Sequence, residues 1–579
     1  MRRLAVLVFV LMLAGAQAQA GELLIETALQ DDGTLRVSYT PPEGVSELPR
    51  WNRSTAARGF WREQVRSLDD CATVDDDAIH LRAGCKTARL RVEPRLLTLN
   101  AVYQAAQPIA DSGVIAYSGF YAVALPDHAL RWRWLAPKSG YVLQDGRVQR
   151  TAAEQVIPEA VVTASAHEGG NEESSWRSLG AQQYVYLGRA PLVEFPGGAI
   201  VRDPALDDAR VELIRSTLLR DMQLLGAAYG QGPAGPVGVV TSVADLNSFH
   251  GDASEGRMMR LRMLPADRNP DQDGRGLQFF VTHEAVHWWN MGLRRSDSGR
   301  PWLHEGHADW ATLLLMRQQG LWDDEALREQ IESRLNRCLL TRGDAPAAAL
   351  PPGYSKNEDP YACGFALMLM AQAQQQARRK VEDLRSPLAL LATLHPKDAT
   401  LDIPGFAVWA DGAATGPMHR LLLDAGQPFA SGFEAQALGL AEPRSLKDSD
   451  TGTRARVGAL LLSAVMRADC DGKVGFRTNY ADDFGFFKLD SGGIRCSTLR
   501  RGGEVTAVGG HGLIADPLAA WDAASADCAA GRPLKIDYRQ GQGTEMACPK
   551  DLPAIPARQL LRLKPEALER LGLTAEARK

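Results

Sequence analysis

Thr282-His283-Glu284-Ala285-Val286-His287-Trp288-Trp289-Asn290, followed at Trp302-Leu303-His304-Glu305-Gly306-His307-Ala308-Asp309-Trp310 by a second acidic segment, decides how this chain is read. On a helix, His283 and His287 stand one turn apart on the same face. Both imidazoles can then reach one metal ion while Glu284 points at the coordination position left open. A catalytic zinc held by two histidines needs a third protein ligand and a site for water. Glu305, eighteen residues beyond His287, supplies the ligand. Asp309 follows on the same face, where a carboxylate accepts the second ring N–H of a ligand histidine and fixes its tautomer. The short histidine motif alone also describes two histidines on an ordinary amphipathic helix, and a chance match would lack these later partners. The expected chemistry is one Zn2+ per chain that lowers the pKa of a bound water, with Glu284 as the general base that takes its proton.

With these residues the sequence resembles the gluzincins, the thermolysin-like zinc peptidases that read His-Glu-x-x-His, then a glutamate, then an aspartate four residues on. Within that clan, His287-Trp288-Trp289-Asn290 with Arg294 and Arg295 resembles the His-x-Trp-Asn and downstream arginine of the glycyl aminopeptidase family. Glu305-Gly306 is similar to the neutral aminopeptidases, and the gap from His287 to Glu305 is shorter than in the glycyl aminopeptidases. The resemblance implies a thermolysin-like α+β catalytic domain with a helical half over residues 206–454. Asp359-Pro360-Tyr361-Ala362-Cys363-Gly364 resembles the Tyr-x-x-Gly segment of gluzincin aminopeptidases. That likeness implies that the Tyr361 hydroxyl stabilises the oxyanion formed during hydrolysis. A packing tyrosine at a helix start, with Tyr354 as the donor, is the competing reading.

Neutral aminopeptidases also carry a Gly-x-Met-Glu-Asn strand before the zinc helix, whose glutamate binds the substrate ammonium. Here the corresponding segment reads Gly256-Arg257-Met258-Met259-Arg260. On this alignment Met259 replaces the glutamate, and Arg257 and Arg260 become possible substrate-binding residues that repel an ammonium and attract a carboxylate. Glu255 is the nearby substitute carboxylate. Aminopeptidase and endopeptidase action are both open.

The chain's 579 residues exceed one core, so several domains are expected. A net charge of −5 offers no electrostatic footprint for nucleic acid or anionic lipid. Residues 1–20 read as a signal peptide: Arg2 and Arg3, the apolar run from Leu4 to Ala14, then Ala18-Gln19-Ala20. No later stretch is long and apolar enough to span a membrane, so there is no integral membrane segment and the mature chain is placed in the periplasm or outside the cell. Eight cysteines in an oxidising compartment imply disulfides. Proximity pairs Cys71 with Cys85 and Cys338 with Cys363, and leaves two bridges among Cys470, Cys496, Cys528 and Cys548.

Residues 21–205 read as an N-terminal β-sandwich, because Leu35, Val37 and Tyr39, and again Leu130, Trp132 and Trp134, alternate with polar neighbours. Tyr184 to Leu187 forms a further strand. From 206 onward Val211, Ile214, Leu218, Met222 and Leu225 recur at helical spacing. Val237 to Val240 and Met258 to Met263 then read as strands ahead of the His283 helix. Residues 455–550 resemble a PDZ module in Asp483-Phe484-Gly485-Phe486, in Gly503 to Gly510, and in Leu534 to Arg539. That resemblance implies capture of an extended C-terminal peptide at a sheet edge, although Asp482 and Asp483 make the loop less welcoming to a carboxylate. A purely structural module is equally consistent. The tail, 551–579, reads as a short helix around Leu560, Leu561, Leu563 and Leu568.

Three functions fit these residues: a zinc peptidase acting on peptides or proteins, a peptide-binding protein that keeps a zinc site, and a zinc-dependent hydrolase of a non-peptide amide. Glu284 favours catalysis, since binding alone needs no general base.

Overall fold

The computed structural model describes residues 21–51, 55–95, 105–125, 127–157, 183–233, 235–244, 250–254, 257–265, 274–294, 301–342, 360–378, 387–394, 403–424, 426–437, 439–479, 485–489, 494–550, 552–555 and 559–573. The expected signal peptide lies outside them, as do Glu255, Gly256, Arg295, Tyr354, Asp359, Asp482, Asp483 and Phe484. Packing divides the chain into two compact units, Met1–Arg295 and Ser296–Lys579.

The first unit begins with two sheets. One has six strands in the order Ala153–Ile157, Leu130–Leu135, Leu23–Leu29, Leu35–Thr40, Ala88–Val92, Val65–Ser67. The other has five, in the order Arg147–Gln149, Tyr141–Gln144, Tyr184–Gly188, Gly113–Tyr117, Ala106–Ile109. Leu35, Val37 and Tyr39, with Leu130, Trp132 and Trp134, point into one apolar cluster shared by both sheets, and the arginines between them face outward. Period-two alternation is what a sheet with one wet face requires.

A third sheet follows, with strand order Leu192–Phe195, Gly198–Val201, Val237–Val243, Met258–Met263, His250–Ser254. Its three middle strands run parallel and the two outer ones antiparallel to their neighbours. All six residues of Met258–Met263 are buried, as suits a strand covered on both faces. The helix Asp208–Tyr229 starts at Asp207, whose side chain accepts from the Arg210 amide at 2.8 Å, and stops at Gly230 in the left-handed conformation. The helix Arg275–Arg294 packs against that helix and the edge strand His250–Ser254.

The second unit is built on the helices Pro301–Gln318, Asp324–Arg342 and Pro360–Arg378, continued by shorter helices as far as Ala437. Beyond them, the helices Thr451–Asp469 and Pro517–Ala529 flank a sheet whose order is Phe476–Asn479, Phe486–Leu489, Glu504–Val508, Leu534–Tyr538, Thr544–Met546. The tail departs from its expected helix. Gln559–Leu563 is a strand paired antiparallel to Ala441–Ser445, and only Ala567–Arg570 turns helical. Leu560 and Leu563 look helical by spacing, but Asn336 takes both backbone bonds of Leu561 into a buried edge, which favours the strand.

Disulfides join Cys71 to Cys85, Cys338 to Cys363, Cys470 to Cys496 and Cys528 to Cys548. Each links cysteines close in sequence. Among the described residues no helix is long and apolar enough to cross a membrane.

Candidate metal centre

His283, Glu284 and His287 lie on the helix Arg275–Arg294 and are all buried. The imidazole centroids of His283 and His287 are 4.9 Å apart with their planes nearly perpendicular. Nδ1 of His287 meets the side-chain oxygen of Asn290 at 3.0 Å, one turn further on. The carboxamide oxygen accepts the Nδ1–H, which leaves Nε2 with its lone pair for a metal. Sequence reasoning quoted Asn290 as a motif residue without a role. Its i+3 spacing from a ligand histidine was the available signal.

The helix is seated by two further contacts. Thr282 donates to the wholly buried carboxylate of Asp221 at 2.6 Å, which ties the residue before His283 to the helix Asp208–Tyr229. Gly251 on the edge strand lies under Phe280, where a Cβ would stand 2.8 Å from the ring. The missing side chain lets helix and strand approach.

That edge strand neighbours the segment expected to face substrate. Met258–Met263, the segment aligned with the substrate-facing strand of aminopeptidases, is an inner strand, and Met259 belongs to the apolar core. The strand against the zinc-motif helix is His250–Ser254, which carries Asp252. Arg260 is turned onto Asp252 at 2.6 Å, with its guanidinium 5.2 Å from the Tyr184 ring centroid. Arg257 donates to the carbonyls of Pro236 at 3.1 Å and Asp145 at 3.2 Å. Either arginine would have to leave these partners to meet a substrate.

Glu305 and Asp309 lie on the buried face of the helix Pro301–Gln318. Asp309, expected beside a ligand histidine, accepts from Arg334 Nε at 3.0 Å. The helix crosses Pro360–Arg378 at Gly306 and Gly364, where a Cβ on Gly364 would stand 2.0 Å from the Trp302 carbonyl oxygen. Trp310 locks the crossing by donating to Gln372 at 2.5 Å and by packing its ring edge-on to Phe365. Tyr361, one turn before Gly364, keeps a 39% exposed side chain in this otherwise buried region.

Two groups among the described residues have the chemistry to hold a metal ion: His283 with His287 and Glu305, and Asp469 with Cys470 and Cys496. In the second, both sulfurs are consumed by their disulfide and Asp469 accepts the amides of Thr498 and Leu499. The first has the nitrogen and oxygen donors that zinc prefers.

Among solved structures, the chain matches in fold an aminopeptidase N family protein from Idiomarina loihiensis, with a TM-score of 0.57 over 95% of this chain and 100% of the other, at 13% identity. The chain is similar to it in fold. Two M1 zinc metallopeptidase structures from Deinococcus radiodurans overlap more loosely. One has a TM-score of 0.35 at 16% identity, covering 70% of this chain and 92% of its own. The other, a mutant bound to a Tyr-Ser-Ala substrate, has a TM-score of 0.34 at 16% identity, covering 72% of this chain and 92% of its own. No family model matches the sequence, and no curated protein does.

Proposed function

We propose that this chain is a zinc metallopeptidase in which His283, His287 and Glu305 are the protein ligands and Glu284 is the general base. The observation that carries the reading is the donor set itself: ligand atoms of the three side chains lie within 4.8 Å of one another, and all three are buried. Zinc bound there would supply a Lewis acid that makes water nucleophilic near neutral pH. Glu284, on the same helix as both histidines, takes a proton from the attacking water and delivers it to the leaving nitrogen. Asn290 holds His287 in one tautomer, and Asp309, one turn after Glu305 on the same helix and paired with Arg334, steadies the segment that carries the glutamate ligand. The Tyr361 hydroxyl donates to the oxygen that gains charge on the scissile carbonyl. Metal analysis of the purified protein and of His287→Ala tests the ligand set, with hydrolysis of a mixed peptide library followed with and without chelator. Equal zinc content in both proteins, or cleavage indifferent to the chelator, would end the proposal.

Residues 206–454 form the thermolysin-like part of this reading and 455–550 the PDZ-like part, with Phe476–Asn479 as the terminal strand that a peptide would extend. Four disulfides support a periplasmic or secreted location.

Aminopeptidase action is a second reading, favoured by Asp252. Its carboxylate lies on the strand against the zinc-motif helix, and Oδ1, although buried, has no hydrogen-bond partner among the described residues. A substrate ammonium would satisfy that oxygen. Cleavage of one peptide with a free and with an acetylated N-terminus decides: loss on acetylation supports this reading, and equal cleavage favours endopeptidase action.

A further inference from the structure

The helices Pro301–Gln318 and Pro360–Arg378 each carry, in their first turns, a residue that the proposed reaction uses: Glu305 on one and Tyr361 on the other. One turn further along, each carries a residue held by the same side chain. Arg334 Nε donates to Asp309 at 3.0 Å, and the guanidinium carbon lies 5.3 Å from the centroid of the Phe365 ring. Asp309 is four residues after Glu305 and Phe365 is four residues after Tyr361, so each pair shares one helix face. A single guanidinium thus grips both helices at matching places. Trp310 also packs edge-on to Phe365, with ring centroids 5.2 Å apart.

Arg334 is itself fixed. It donates to the Gln330 side chain at 2.8 Å. Its helix, Asp324–Arg342, is anchored to the tail strand, where the Asn336 side chain makes both backbone bonds of Leu561, at 2.9 and 2.7 Å, and Glu332 accepts the Leu563 amide at 3.0 Å. Each residue turns a helix by about 100°, so Arg334, two positions from both, projects away from that strand.

Two physical arguments separate this from ordinary packing. The crossing at Gly306 and Gly364 brings two backbones together, but glycines have no side chains to interlock, so the residues around it must fix how far each helix is turned. Trp310 does so through Gln372, and Arg334 does so through residues aligned with Glu305 and Tyr361. Further, an ion pair this far out of water, with Asp309 9% and Arg334 16% exposed, adds little net stability, because desolvation offsets the attraction. What it adds is direction, since a planar guanidinium meets a carboxylate and an aromatic face in defined orientations.

We propose that Arg334 is a positioning residue for hydrolysis, holding Glu305 in place through Asp309 and Tyr361 in place through Phe365. This rests on the peptidase reading and adds to it one side chain that serves both the metal ligand and the oxyanion donor.

The full chain is compared with Arg334→Met, which removes the charge but keeps an unbranched side chain, and with Arg334→Lys, Asp309→Asn and Phe365→Leu. Zinc affinity is read by competition with a chelating dye, kcat and KM on a peptide that the unmutated protein cleaves, and folding by thermal melting. In Arg334→Met, zinc affinity should fall about tenfold to a hundredfold, the loss expected when a ligand's supporting partner is removed, and kcat per bound zinc should fall with KM little changed. Asp309→Asn should reproduce the loss of zinc affinity, and Phe365→Leu the loss of kcat. Arg334→Lys keeps a cation for Asp309 and should recover most of the zinc affinity. Adding Asp309→Asn to Arg334→Met should weaken zinc binding little further, because both remove one contact. Wild-type zinc affinity and kcat in Arg334→Met, with or without a lowered melting temperature, overturn the inference and leave the peptidase reading standing. Should that variant fail to fold, wild-type zinc affinity in Asp309→Asn together with wild-type kcat in Phe365→Leu overturns it. If the unmutated protein binds zinc yet cleaves no peptide, the peptidase reading fails and the zinc titrations alone decide whether Arg334 supports the ligand. No zinc in the unmutated protein overturns both.

Discussion

Gly306 and Gly364 meet backbone to backbone: a Cβ on Gly306 would stand 2.1 Å from the carbonyl carbon of Gly364. Neither position can carry a side chain without moving a helix. Because Glu305 is adjacent to one glycine and Tyr361 is one turn before the other, the crossing sets the distance between a proposed metal ligand and a proposed oxyanion donor. Gly364→Ala should therefore destabilise the protein by at least about 1–3 kcal/mol through overpacking. It should also lower peptidase activity in the surviving folded fraction. Thermal denaturation and turnover per bound zinc measure the two effects. A variant with unchanged melting and turnover would show that the helices can part at no cost.

The bond from His287 to Asn290 carries a second expectation. Asn290→Ala removes the acceptor that orients a ligand imidazole, and loss of such a partner weakens metal affinity about tenfold to a hundredfold. A competitive zinc titration against a chelating dye would read this out. Unchanged affinity would mean that the ring is held by packing alone.

Glu284→Gln should leave zinc bound and abolish hydrolysis, because only the base is lost. Tyr361→Phe should lower kcat by about 10² to 10³ with less effect on KM, the signature of an interaction made in the transition state. Steady-state kinetics on any cleaved peptide separates the two. Wild-type kcat in Tyr361→Phe would return the oxyanion role to another donor.

His250, on the edge strand beside Asp252, makes stability depend on pH. Burial, then the charges of Arg262 and Arg260, lower its pKa below the ordinary histidine value, and Asp252 opposes them only in part. The unfolded chain therefore binds the proton more readily than the folded one. The histidine's contribution is intact above the unfolded pKa, near 6.5, and is lost as pH falls towards the folded value. Melting temperatures taken from pH 8 to pH 5 should fall more steeply for the wild type than for His250→Gln. Parallel curves would remove His250 as the cause.

That His283, Glu284 and His287 share one helix was legible in the chain, because a helix's periodicity makes i and i+4 neighbours whatever surrounds them, whereas Glu305, on another helix, was legible only as a candidate. Also legible were the inward faces of Leu35–Thr40 and Leu130–Leu135, through strict alternation, and two of the disulfide pairs, through closeness in sequence. Strand order was not. Nothing local distinguishes an inner strand from its edge neighbour, and only hydrogen bonding across the third sheet makes Met258–Met263 internal and puts Asp252 against the zinc-motif helix. The tertiary structure likewise decided that Asp309 meets Arg334 and that Gly306 faces Gly364. Those meetings depend on where whole helices pack, which is governed by burial and backbone closeness between segments distant in sequence rather than by the spacing of residues along it.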